Sequence, residues 1–286
     1  MVLLPRFDAR SVLDAIVSER ATLLSVVPTM LRALLDADER DAMSRPRVVL
    51  VGGAATPRSL LERCAERGVR ALTTWGLTEA CSQVTTQRYV PSAPFAVRDD
   101  SGAALGGAEL SIVDEDGTPV ETGAIGRILV RGPTVMTGYW GHPPRLAEQW
   151  FDTGDLGSFD HERSLTISAR RTDLIVTGGE NVYPVEVEHS LCEIDGISAA
   201  MVFGVPDERW GQVVAAAIVR SRTIDDEARW LAETARLIAE RVASHKRPRR
   251  VCVVDALPMR STGKVDRAEG VRIFAPMLRE WSSTEG

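Results

Sequence analysis

The sequence is poor in residues that staple or anchor a chain, or that catalyse unaided. It has four cysteines, Cys64, Cys81, Cys192 and Cys252, widely scattered and without a CxxC pair. That pattern argues against a disulfide framework or a zinc site and fits reduced thiols in a cytoplasmic protein. The four histidines, His142, His161, His189 and His245, are dispersed. None has a serine, cysteine or metal-ligand companion at motif spacing, which argues against a histidine-based mechanism. No apolar run is long enough to span a membrane. Residues Met1 to Arg6 lack the basic start and long apolar core of a signal peptide. An amphipathic helical pattern begins almost at once, at Asp8 to Val17, so the chain is expected to start inside structure without a leader. Excess positive charge is also missing. The formal net charge is −6, which speaks against nucleic acid as a partner. There is no internal repeat, no low-complexity segment and no P-loop, because Gly263-Lys264 lacks the upstream glycine and the following Ser/Thr.

What remains is ordinary globular material. At 286 residues, 44% apolar and 26% charged, the chain can hold about two domains with real cores. Over the first ninety residues strand and helix alternate. Thr22 to Val27, Arg47 to Val51 and Arg70 to Thr74 read as strands. Pro28 opens one helix, and Thr56-Pro57 is expected to cap and start another. Alternation of this kind predicts a parallel sheet with ligands at the C-terminal ends of its strands. From about Pro91 proline and glycine become frequent and the helical period disappears. Glu109 to Val113 and Arg127 to Arg131 read as strands joined through an Asp116-Gly117 turn. The last part returns to mixed α/β, with helices from Pro184 and from Asp225 to Ala243. Its strands are expected at Ala199 to Phe203, Val213 to Val219 and Arg250 to Val254. The expected division is a partial parallel α/β subdomain at 1–90, a β-rich, barrel-like subdomain at 91–172 and an α+β domain at 173–286.

Five segments carry candidate chemistry. They are Trp75-Gly76-Leu77-Thr78-Glu79; Gly123 to Arg127 continuing to Gly138-Tyr139-Trp140; Phe151-Asp152-Thr153-Gly154-Asp155; Ala169 to Asp173 continuing through Gly178-Gly179-Glu180-Asn181-Val182-Tyr183-Pro184; and Leu257 to Arg267, which contains Lys264. Taken singly, each has an ordinary reading. Thr78-Glu79 is a helix cap, Asp155 a turn aspartate, Gly52-Gly53 a turn, Trp75 a core side chain and Lys264 a solvated lysine.

In this order the five segments resemble the adenylate-forming superfamily of acyl-CoA synthetases, peptide-synthetase adenylation domains and luciferases. The resemblance runs over essentially the whole chain. It implies attack of a small-molecule carboxylate on the α-phosphate of ATP, with Mg²⁺, followed by transfer of the acyl group to coenzyme A. Two anions must meet, so positioning and charge neutralisation carry the catalysis. By resemblance, Thr78 contacts phosphate, Glu79 holds Mg²⁺, Asp155 takes the ribose hydroxyls and Arg170 lies near the ribose. Gly52, Gly53 and Ala54 line the adenine pocket, with Trp75 and Gly76 beside it. Asp173 is the hinge of a mobile C-terminal domain, Gly178 and Gly179 flank the pantetheine path, and Lys264 bridges carboxylate and α-phosphate. Ala169 departs from the glycine usual there. The basic run His245 to Arg250 resembles a Lys-Arg-Pro segment that could meet the CoA phosphates.

The resemblance also implies a Ser/Thr/Gly-rich phosphate loop ending in Pro-Lys-Gly, upstream of every motif here, and this sequence has none. The chain is therefore expected to be incomplete alone. It reads as a fragment, as one piece of a split enzyme completed by an upstream-half polypeptide, or as a non-catalytic remnant. Within the superfamily, Leu77 to Gln83, Arg171 to Ile175 and Asp207 to Gln212 look most like o-succinylbenzoate–CoA ligases of menaquinone biosynthesis. Medium-chain, long-chain and aryl acyl-CoA synthetases are the alternative.

Overall fold

The computed structural model describes residues 1–91, 96–260 and 263–281. Its contacts divide the chain into two compact units, 1–168 and 169–286.

The first unit begins with helix α1, Ala9–Ser18, whose N-terminus is capped by Asp8: the carboxylate accepts the Ser11 N–H at 2.8 Å. Strand β1 (Leu23–Val26), helix α2 (Pro28–Ala37), strand β2 (Val48–Val51), helix α3 (Arg58–Glu66) and strand β3 (Ala71–Leu77) follow. Strands β1, β2 and β3 pair in parallel, as the alternation predicts. Pro28 opens α2, where its missing N–H costs nothing. At α3 the expectation needs correction. Pro57, not Thr56, occupies the cap position, and no side chain caps the helix. Strand β4 (Ser82–Thr86) turns back antiparallel to β3, and the two-residue β5 (Ala103–Ala104) completes the sheet in the order β1-β2-β3-β4-β5. Apolar side chains from α1, α2 and α3 close over β2 to form one core, including Ile16, Leu31, Leu34, Val49 and Leu61.

Strands β6 (Glu109–Val113), β7 (Gly126–Arg131), β8 (Phe151–Phe159) and β9 (Leu165–Arg170) form a second sheet in that order. Its outermost strands, β6 and β9, are not hydrogen-bonded to each other, so the expected barrel-like closure is absent among the described residues. The structure is mixed α/β with several open sheets.

The second unit starts with a small hairpin, β10 (Ile175–Thr177) and β11 (Glu180–Val182), then α4 (Pro184–Cys192). Strands β12 (Ile197–Asp207), β13 (Gly211–Arg220), β14 (Arg250–Val254) and β15 (Arg279–Glu280) make a sheet in that order. Helices α5 (Glu227–Arg241) and α6 (Arg267–Phe274) complete it. Strand β13 is a nearly unbroken apolar run because both its faces are covered. Val214, Ala216 and Ile218 pack with α4 and α5 through Val187, Leu191, Leu231 and Ile238. Val213, Ala215 and Ala217 pack on the other face with Phe274 of α6. Among the described residues no helix is long and apolar enough to cross a membrane. Burial pushes the Cys64 thiol up to about 12 and that of Cys252 up to about 11, so neither forms a nucleophilic thiolate near neutral pH.

Candidate functional site

The sequence-predicted residues fall into two sets, one in each unit. In the first unit, Gly52 directly follows β2, and Gly53 and Ala54 continue into the exposed loop. A Cβ on Gly52 would lie 2.7 Å from the Thr74 methyl carbon of β3, so glycine lets the two strand ends approach. Trp75 is only 8% exposed and packs in a core with Leu77, Val84, Ile128 and Val130. Its indole N–H donates to Asp155 Oδ2 at 2.9 Å, across 80 residues of sequence.

Asp155 is not on a turn between elements, as the sequence suggested, but inside β8. Opposite β7, Leu156 pairs with Arg127 and Asp152 with Leu129, so residues Thr153 to Asp155 bulge out of register. Gly154 supplies the positive φ, +72°, that the bulge requires. Thr153 Oγ1 donates to the Ile128 carbonyl at 2.8 Å and accepts the Asp155 N–H at 3.1 Å. The bulge thus fixes a carboxylate that is 5% exposed.

After β3 the chain makes a 3-10 turn, Thr78–Ala80, and reverses through Cys81 and Ser82, both at positive φ. Thr78 is exposed and Glu79 half-buried. The reversal brings β4 so close that a Cβ on Gly76 would lie 1.7 Å from the Ser82 carbonyl oxygen. The Met136 N–H donates to the Glu79 carbonyl at 2.7 Å, and the Tyr139 hydroxyl donates to Glu79 Oε1 at 2.9 Å. The loop that brings Tyr139 is laced by Arg145, whose guanidinium donates to the carbonyls of Val135, Met136, Leu146 and Gln149. Nothing in the sequence pattern marked Tyr139 as the partner of Glu79, because a loop tyrosine carries no periodic signal.

Among the described residues no three His, Cys, Asp or Glu side chains gather into a metal cage. Glu79 offers a single oriented carboxylate. That donor set suits Mg²⁺, which takes one or two protein carboxylates and draws its other ligands from phosphates and water.

In the second unit, Arg170 ends β9 and is exposed. Gly178 and Gly179 form the turn of the β10–β11 hairpin, at φ +58° and +87°. Gly178 donates its N–H to the Trp210 carbonyl at 2.9 Å, and a Cβ there would strike the Trp210 ring at 2.6 Å. The guanidinium groups of Arg209 and Arg249 lie over the same ring, 4.9 and 4.7 Å from its centroid. The basic run is largely spent inside the fold. Lys246 Nζ donates to both carboxylate oxygens of Glu186 at 2.6 and 2.8 Å, and Arg247 donates to the carbonyls of Val242 and Ala239.

Lys264 is exposed, on a short reversal between Met259 and Val265. Ser261 and Thr262 of the same motif lie outside the described residues. Asp173 closes the 3-10 turn Arg171–Asp173 after β9. Its carboxylate lies 3.3 Å from Arg267 Nε.

Comparison with known proteins agrees in order and extent. The AMP-binding enzyme family matches residues 1–140, and the AMP-binding enzyme C-terminal domain matches residues 186–264. A 2-succinylbenzoate–CoA ligase of Bacillus licheniformis is 38% identical, over 93% of this chain and 55% of that protein. An indoleacetate–CoA ligase of Aromatoleum aromaticum is 37% identical, over 95% of this chain and 53% of that protein. The o-succinylbenzoate CoA synthetase of Bacillus subtilis, solved with its acyl-adenylate intermediate, matches at a TM-score of 0.81 and 33% identity. That match covers 98% of this chain and 56% of that one. The same enzyme solved with ATP and a magnesium ion matches at a TM-score of 0.78 and 34% identity, over 94% of this chain and 55% of that one. The chain spans about half the length of the curated relatives it matches. Two ordered family matches, together with relatives aligned over almost all of its residues, make the chain a member of the AMP-binding, adenylate-forming enzymes, corresponding to their C-terminal half.

Proposed function

We propose that this chain is the C-terminal portion of an acyl-CoA ligase that activates a carboxylate as its acyl-adenylate and passes the acyl group to coenzyme A. The observation that carries the reading is the buried Trp75–Asp155 hydrogen bond. It ties the end of β3, where Thr78 and Glu79 follow, to the bulge of β8, so two separate motifs meet in one place. On this reading Asp155 receives the ribose hydroxyls as a two-oxygen acceptor. Thr78 contacts phosphate, and Gly52, Gly53, Ala54, Trp75 and Gly76 border the adenine. Arg170 serves the ribose region. Mg²⁺, when bound, supplies charge neutralisation at the phosphates, and Glu79, oriented by Tyr139, is the residue that would hold it.

Lys264 contributes a mobile point charge for the carboxylate and the α-phosphate. Asp173 is the pivot of the 173–286 domain, and the Gly178-Gly179 turn serves the thiol-bearing arm of coenzyme A. The named substrates of the relatives support an arene-bearing carboxylate, with o-succinylbenzoate first among the candidates. The scattered thiols support a cytoplasmic setting.

The test is carboxylate-dependent ATP–pyrophosphate exchange, measured on this chain alone and mixed with a polypeptide carrying the family's upstream half. Exchange is expected only in the mixture. Exchange by the chain alone overturns its incompleteness, and none from a proven assembly favours a non-catalytic remnant. In the active assembly, Lys264→Ala should slow adenylate formation about 100-fold or more. Thioester formation from preformed adenylate should be spared, and an equal loss in both steps removes the role assigned to Lys264.

A further inference from the structure

Arg267 is the most heavily engaged charged side chain near the Lys264 turn. It is the first residue of α6, directly after the N-cap Asp266, whose carboxylate accepts the Glu269 N–H. Its guanidinium reaches three separate elements. Nη1 donates to the Val202 carbonyl of β12 at 3.1 Å, and Nη2 donates to Glu188 Oε2 of α4 at 2.8 Å. Nε lies 3.3 Å from Asp173 Oδ2 on the turn after β9. Glu188 is held in its own right, since Oε1 accepts the Val202 N–H at 2.8 Å. The side chains of Arg267, Asp173 and Glu188 are 28%, 29% and 12% exposed. They are therefore partly withdrawn from water, and their attraction is less screened than in a surface pair.

The reversal that bears Lys264 closes at Val265, two residues before Arg267 opens α6. The Arg260 N–H donates to the Lys264 carbonyl at 2.7 Å, the Gly263 N–H to the Arg260 carbonyl at 2.9 Å and the Asp266 N–H to the Pro258 carbonyl at 2.8 Å. The turn bearing Lys264 is thus laced across its base, through to Asp266 just before Arg267, and Arg267 is paired with Asp173. A lysine has a long, rotatable stem, so the position of its ammonium depends on how firmly its backbone is held.

We propose that Arg267 is a positioning residue that couples the Asp173 turn to the turn carrying Lys264, with Glu188 as its fixed anchor. The task it gives Lys264 rests on the proposed function; the mechanical coupling does not. Any rearrangement at Asp173 is transmitted to the Lys264 turn through one planar fork. Lysine cannot replace it, because an ammonium lacks the fork geometry needed to satisfy three directions at once.

The test uses amide hydrogen exchange in the whole chain, free of any activity. The reporters are the amides of Arg260, Gly263 and Asp266 on one turn and of Leu174 on the other. Arg267→Gln and Arg267→Lys should each speed exchange at both turns about tenfold, while the β13 amides of Ala216 and Ile218 keep their protection. The decisive variant is Asp173→Asn, a mild change at a partly exposed site. It should speed exchange at Arg260, Gly263 and Asp266, which lie far from it in sequence. Unchanged exchange there overturns the coupling. So does an Arg267→Gln effect that spreads equally to β13, because Arg267 would then support the fold as a whole. If the coupling holds and pyrophosphate exchange fails, the functional reading falls alone; the reverse pair of results removes only the coupling.

Discussion

Trp75 shows how a residue can look generic in sequence and be specific in space. A tryptophan in an apolar strand reads as core, and it is core. Its indole N–H also supplies a buried carboxylate with a directed donor. Trp75→Phe keeps most of the apolar volume and removes only that donor. A hydrogen bond to a charged group contributes about 1.5–3 kcal/mol, so the variant should lose roughly that much stability in denaturant unfolding. In the reconstituted assembly the KM for ATP should rise more than kcat falls, because Asp155 is held less firmly. A stability loss below about 0.5 kcal/mol would show that the indole donor adds little. The order of the motifs is what singles out Asp155, Glu79 and Lys264 in the sequence. The partners were not: Trp75 with Asp155, Tyr139 with Glu79 and Arg267 with Asp173 all join segments that lie far apart in the chain, and pairing of that kind leaves no local pattern.

Elements were read best where their periodicity was undisturbed. The reading of Arg250 to Val254 matches strand β14 end to end, and the unbroken apolar run of β13 reports two covered faces. Strand β8 was missed because Thr153 and Gly154 look like punctuation, whereas they form the bulge that aims Asp155. The reversal after β3 was equally hidden, since nothing local announces a carbonyl 1.7 Å from where a Gly76 Cβ would sit. Gly76→Ala must separate β3 from β4. It should cost about 3 kcal/mol or more in stability, or prevent folding of the first unit, while leaving the second unit's transition unchanged.

A further device sits just after α2. Burial of the Asp38 carboxyl pushes its pKa up, but the backbone N–H groups of Met43, Ala42 and Arg40 and the nearby Arg67 outweigh that and hold it below the usual value. A depressed folded-state pKa means that the contribution is complete above the unfolded-chain value of about 3.9 and is lost as pH falls through the folded value. Asp38→Asn should lower stability at neutral pH by about 1–3 kcal/mol. It should also flatten the acid limb of a stability–pH profile, and an unchanged acid limb would contradict the assignment.

At the scale of the whole molecule, each apolar core among the described residues lies within one unit. Of these, two belong to residues 1–168 and two to residues 169–286. In the second unit the cores lie on opposite faces of one sheet and share β13, so they should unfold together. Burial of this kind allows a unit of that size to fold by itself. Residues 169–286 expressed alone should therefore unfold in a single cooperative transition. Leu191, fully buried between α4 and the sheet, supplies the probe: Leu191→Ala should remove about 2–5 kcal/mol from that transition. Leu34→Ala, in the core of α1, α2 and α3, should remove a similar amount from the first unit's transition and nothing from the second's. Measured by denaturant unfolding of the full chain, with Trp75 and Trp281 as the unit probes and the other four tryptophans replaced by phenylalanine, the two substitutions should each shift one transition. If either substitution shifts both transitions equally, the units are not energetically separate. The pivot assigned to Asp173 would then lack the independence that a moving domain needs.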